Sequence, residues 1–183
     1  MRWQASLRTL PPYHDDPAYI DALARDLTRQ LDALDFEPEV LLLSFHGMPQ
    51  RTLELGDPYH CHCQKTVRLL DERLGWPEGR LTITFQSRFG RAEWLRPYTD
   101  ETLKKLGRDG VRSVDVICPG FSADCLETLD EIEVEARVGE SAGVPALQEK
   151  TALVAEDFRL QHQHVLERRF DKIHANTTPL SLS

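Results

Sequence analysis

The sequence predicts an α/β fold, a parallel sheet flanked by helices on both faces. Short apolar, β-branched runs at 40–45, 81–85 and 111–118 alternate with segments of helical period. The run Val40-Leu41-Leu42-Leu43-Ser44-Phe45 does not alternate apolar with polar, which is the pattern of a strand covered on both sides. The segments between runs are long enough for helical crossovers, so successive strands run parallel.

Each element has its own signal. Trp3 to Leu10 is a weak strand candidate. Asp16-Pro17 starts a helix, and Ile20, Leu23, Leu27, Leu31 and Leu34 recur at three- and four-residue steps, predicting a helix over 17–35. Pro38 ends it, and the first strand follows at 40–45. A helix from Tyr59 to Leu74 turns Val67, Leu70 and Leu74 inward, and Gly75 and Pro77 stop it. Leu81 to Phe85 is the second strand, and Gln86 to Arg96 a loop. Pro97 opens a helix to about Gly107, and Val111 to Cys118 is the third strand, closed by Pro119-Gly120. Ser122 caps a fourth helix over 123–137, and Leu147 to Phe170 is a polar helical candidate.

Composition bounds the function. The 183 residues suit one domain and are tight for two. Against 30 Asp plus Glu stand 22 Lys plus Arg, a formal charge of -8 without a basic block, so a nucleic-acid partner is not expected. The longest apolar run is far short of the roughly 20 residues of a membrane span, and Met1-Arg2-Trp3-Gln4 opens no apolar signal segment. A cytoplasmic location is the expectation. There is no GxGxxG, no GxxxxGK[ST] and no GxSxG, which argues against nucleotide binding and serine hydrolysis.

Ligands of parallel sheets bind beyond the strands' carboxyl ends. Two segments there carry chemistry: Ser44-Phe45-His46-Gly47-Met48-Pro49 after the first strand, and Pro119 to Leu129 after the third. On the helix after Phe121, Asp124, Glu127, Glu131 and Glu135 form one stripe beside an apolar stripe of Cys125, Leu129, Ile132 and Ala136. A row of carboxylates suits a hydrated divalent cation, although a solvated acidic face near a helix N-terminus is the commoner explanation. His46 alone is more often a structural, hydrogen-bonded residue. An imidazole facing a carboxylate across one cleft is instead a proton acceptor or half a metal site. Met48 and Trp94 are ordinarily packing residues, yet near a cleft they can wall a flat aromatic ligand. His60-Cys61-His62-Cys63 invites a metal reading, but cysteines two apart on a helix point to different sides, which weighs against structural zinc or an iron–sulfur cluster.

Ser44 to Pro49, Gly56-Asp57-Pro58-Tyr59, Phe85-Gln86-Ser87-Arg88-Phe89-Gly90, Trp94-Leu95-Arg96-Pro97 and Pro119 to Ile132 occur in the order and spacing of the ferrochelatases. With Pro11 to Ala24, the chain resembles that family over about Leu7 to Arg137, in its C-terminal half. The resemblance implies a chelatase-like lobe, one of two in the fold, that inserts ferrous iron into protoporphyrin IX in haem biosynthesis. It implies that His46 and Glu127 are the catalytic and metal-binding residues, with Asp124 and Glu131 on a proton or metal path. Met48, Trp94 and Phe121 would line the porphyrin pocket. Iron is then substrate, and no cofactor is required.

Two departures from the family pattern shape the remaining expectations. The chain starts near the beginning of the second lobe, so an N-terminal lobe is expected as a complementary partner, and contact with a membrane surface is compatible with a greasy substrate. The organisation expected is a lobe at 1–138 and a divergent tail at 139–183, helical or poorly ordered. The alternatives are a non-catalytic metal- or porphyrin-binding lobe that needs a partner lobe, and a cobalt or nickel tetrapyrrole chelatase.

Overall fold

A computed structural model describes residue 9, residues 11–121 and residue 125. Seven elements occur among them: α1 (Pro17–Asp32), β1 (Val40–His46), α2 (Gln50–Glu54), α3 (Tyr59–Leu74), β2 (Leu81–Gln86), α4 (Thr99–Arg108) and β3 (Val114–Ile117). The expected strand at 3–10, the helices at 123–137 and 147–170, and the boundary at 138 lie outside the described residues.

The three strands form one parallel sheet in the order β2-β1-β3. The central strand pairs Leu41 to His46 with Leu81 to Gln86 on one side and Val40 to Leu43 with Val114 to Ile117 on the other. Alternation along β1 divides the core in two. Leu41, Leu43 and Phe45 face a layer that includes Tyr19, Ile20, Leu23 and Leu27 of α1 and Leu70 of α3. Leu42 faces the other way, against Leu103 of α4 with Val116 and Cys118. Helices therefore cover both faces, as the unbroken apolar run at 40–45 requires. Connections from β1 to β2 and from β2 to β3 travel in opposite directions across the sheet. A constant crossover hand then puts their helices on opposite faces and opens a crevice between β1 and β3.

Local chemistry sets the boundaries. Asp16 caps α1 by accepting from the Ala18 amide at 2.9 Å, with Pro17 at the first helical position. The helix stops at Asp32 rather than at the expected 35, because the Ala33 and Leu34 amides tighten onto the carbonyls three residues back. The helix expected from Pro97 begins at Thr99. The Pro97 carbonyl is engaged by the Phe85 amide at 2.9 Å and Tyr98 is extended, so both prolong the sheet edge. β3 is shorter than the expected 111–118. The Val111 amide bonds back to Leu106, and Ser113 spends its carbonyl on Glu39.

Candidate functional site

His46 closes β1 at the carboxyl edge of the sheet, opposite Gln86 in register. Its Nδ1 lies 2.7 Å from the Gly47 carbonyl oxygen. A carbonyl only accepts, so Nδ1 carries the hydrogen, and in that tautomer the lone pair is on Nε2. The His46 carbonyl accepts from the Tyr59 hydroxyl at 2.9 Å. Across the crevice, Phe121 follows the Cys118–Phe121 turn, and its ring centroid stands 6.0 Å from that of His46. The loops after β1 and β3 thus meet, as the strand order demands.

The turn after His46 is built on close approach. The Gly47 amide donates to the Gln86 carbonyl at 2.7 Å. A Cβ on Gly47 would stand 2.7 Å from that oxygen and 3.2 Å from the Trp94 ring. Met48, half-buried, accepts from the Leu95 amide, and the Gln50 amide donates to Glu93. The β1 turn is therefore stapled to the Glu93–Leu95 segment. Trp94 is only 6% exposed, and it donates from Nε1 to the Phe89 carbonyl. The Phe89 ring, 75% exposed, packs on it at 4.9 Å. Tyr98 anchors the base of this loop. Its hydroxyl accepts from the Trp94 amide and donates to the Trp94 carbonyl. The Arg88 and Arg96 guanidinium groups cover its ring at 4.1 and 4.5 Å. Arg88 also forks onto Asp100. Burial works to raise the Asp100 carboxyl, but Arg88 and Lys104 outweigh it and hold the carboxyl below its ordinary value.

Beneath His46 lies a buried polar layer to which the sequence reading assigned no role. Ser44 Oγ donates to Gln86 Oε1 and stands 2.8 Å from Thr99 Oγ1, which bonds Thr84 Oγ1 at 3.0 Å. The Cys118 thiol reaches Gln86 at 3.5 Å. The signal was available. Ser44 and His46 in β1 and Thr82, Thr84 and Gln86 in β2 are polar positions of one parity, and in register they share a face. In the sequence Tyr59 stands out only as a helix start and as the end of Gly56-Asp57-Pro58-Tyr59. No periodicity argument reveals its bond to His46.

Of the sequence-predicted residues, His46 and Phe121 are brought together, with Met48 and Trp94 supporting the same turn. Asp124, Glu127 and Glu131 lie outside the described residues. Among the described residues no group of three His, Cys, Asp or Glu is placed to hold a metal ion. There, Cys61 is exposed and Cys63 buried. No helix among them is long and apolar enough to cross a membrane.

The Ferrochelatase family model matches residues 1–155. The chain belongs to the ferrochelatase family. The ferrochelatase of Rhizobium meliloti (strain 1021) is 62% identical over 136 residues, 74% of this chain and 40% of the relative. The ferrochelatase of Methylocella silvestris is 60% identical over 137 residues, 75% of this chain and 39% of the relative. That of Agrobacterium fabrum is 59% identical over 136 residues. The chain spans about two fifths of the length of these ferrochelatases.

Proposed function

We propose that this chain carries the metal-insertion site of a ferrochelatase and inserts Fe²⁺ into protoporphyrin IX. The observation that carries the reading is the His46 ring, tied through Nδ1–H to its own turn and facing Phe121 at 6.0 Å across the crevice. Such a ring offers Nε2 as a fixed proton acceptor or metal donor beside an aromatic wall.

Free-base porphyrin holds two pyrrole N–H protons, and both must leave as the ion enters, giving haem and two protons. In this reading His46 Nε2 and the Glu127 carboxylate hold the incoming Fe²⁺ first, and its transfer to the ring nitrogens frees both groups to take the two pyrrole protons. Asp124 and Glu131 carry protons away or bring the ion in. Met48, Trp94 and Phe121 wall the macrocycle. Iron stays ferrous throughout, so the step needs no redox cofactor. The opposite wall of the cleft and the groups for the porphyrin's acidic side chains would come from a complementary lobe. The reaction therefore needs that lobe to the extent that the bent macrocycle must be gripped from both sides.

The test is anaerobic mixing with Fe²⁺ and protoporphyrin, followed by the Soret and visible bands, with and without the N-terminal part of a close relative. Loss of the free-base bands is expected, together with its abolition in His46→Ala. Free-base bands that persist in both arms would refute the assignment. Binding of porphyrin without insertion would favour a non-catalytic lobe. Faster insertion of Co²⁺ or Ni²⁺ into a more reduced ring would favour the other chelatases.

A further inference from the structure

We propose that Tyr19 and Tyr59 are paired positioning residues, each holding one loop of the crevice by a hydroxyl donated to a loop carbonyl. The inference rests on the reading of His46 as the acceptor in metal insertion, and it adds the parts that aim it.

Tyr59 opens α3, and its hydroxyl donates to the His46 carbonyl at 2.9 Å. Tyr19 lies on α1, and its hydroxyl donates to the Pro119 carbonyl at 2.9 Å in a buried setting. One acceptor ends β1 and the other follows β3, on the two sides of the crevice. Carbonyls that leave the strand ladder must find donors elsewhere, and here both donors come from the helical layer that packs on one face of the sheet. The two tyrosines belong to one cluster. Tyr19 and buried Cys63 lie in one core layer with Tyr59 packed against it, and the charge of Tyr59 or Cys63 would further raise the Tyr19 hydroxyl. Burial pushes both hydroxyls above the ordinary tyrosine value, so each remains a protonated donor at any working pH. The Cys63 thiol is pushed up to about 12, so no thiolate competes for those protons.

The consequence is geometric. Tyr59 fixes the peptide that carries the His46 ring, and the next carbonyl, that of Gly47, selects the tautomer. Tyr19 fixes the peptide two residues ahead of Phe121. Together they set the separation of the two rings from one shared support.

The experiment uses the full chain labelled with ¹⁵N-histidine, with the His46 signal assigned among seven histidines by His46→Gln. Wild type is expected to show hydrogen on Nδ1. Tyr59→Phe should move the Nδ1/Nε2 shifts toward a tautomer average. Tyr19→Phe should weaken the cross-relaxation between the His46 and Phe121 rings, and the double variant should lose more than the sum. Thr66→Val is the structural control. It removes a hydrogen bond from the same helix to His14, so it should lower the melting temperature and leave the His46 shifts in place. Unchanged His46 shifts in Tyr59→Phe, or equal movement in Thr66→Val, would overturn the proposal. Should Tyr59→Phe not fold, 3-fluorotyrosine at position 59 perturbs the same donor with the ring retained, and static His46 shifts there count equally against it. None of these readouts needs iron or porphyrin, so failure of metal insertion would leave this result standing or falling by itself.

Discussion

Gly47→Ala isolates the close approach on which the His46 turn depends. The added methyl would meet the Gln86 carbonyl oxygen at 2.7 Å and the Trp94 ring at 3.2 Å. Neither contact yields easily. The oxygen is main chain in β2, and the ring is held between the turn and Phe89. Gly47 has no left-handed backbone, so the cost is one of space and not of conformation. Relief requires the turn to lift away, stretching the Gly47 amide from Gln86. Overpacking costs about 1–3 kcal/mol and a weakened buried hydrogen bond about 1 kcal/mol, together about 2–4 kcal/mol. At about 2–4 °C per kcal/mol for a chain of this size, the melting temperature should fall by about 4–16 °C. Thermal and urea unfolding followed by circular dichroism measure it. Gly75→Ala is the counterpart, since its φ is +64° with open space at the Cβ position, and it should cost about 1 kcal/mol from conformation alone. A Gly47→Ala variant within about 0.5 kcal/mol of wild type would refute the steric argument.

Other outcomes follow from the same geometry. Burial lifts the Asp115 carboxyl from 3.8 to about 6, and among the described residues its Oδ2 has no partner. The folded chain therefore holds this proton to higher pH than the unfolded chain. Its contribution is full below about pH 4 and is lost as pH rises through 6, a swing of at most about 3 kcal/mol. Asp115→Asn should flatten stability over that window and raise it at pH 7, and an unchanged pH profile would contradict the assignment. Ser44→Ala removes a hydroxyl that serves both Gln86 and Thr99, and it should cost about 1–3 kcal/mol in urea unfolding. Mass spectrometry after iodoacetamide treatment at pH 8 should find Cys61 alkylated and Cys63 protected until the chain unfolds. The first thiol is exposed, while the second is buried and raised to about 12. Equal labelling would show that the α1–α3 layer opens freely.

Much of the architecture was legible because burial leaves a pattern. The β1 run lacks polar positions before Ser44 since both faces are covered, and α3 matched its expected 59–74 because Gly75 takes the left-handed cap that ends it. What stayed hidden depends on partners distant in sequence. α2 has five residues and buries none of them, so it is too short and too polar to show a period. Tyr98 prolongs the sheet edge only because Phe85 is beside it. At the site, strand-end logic located His46 and Phe121 on facing loops, since parallel strands present their carboxyl ends together. The tyrosine supports and the Ser44–Gln86–Thr99 layer required the register, because hydrogen bonds over 42 and 55 residues leave no trace in local spacing.

The ring of Tyr98, covered by two arginines, locks the stem of the segment that runs from Arg88 to Arg96. A stem fastened this way, with Phe89 held on Trp94, turns the Gly90–Ala92 tip into an exchangeable cassette. Added residues there would cost closure entropy that grows only logarithmically with length, and β2 would not register the change. Relatives of this chain thus have room to retool the rim of the crevice by insertion or deletion while the histidine behind it keeps its place.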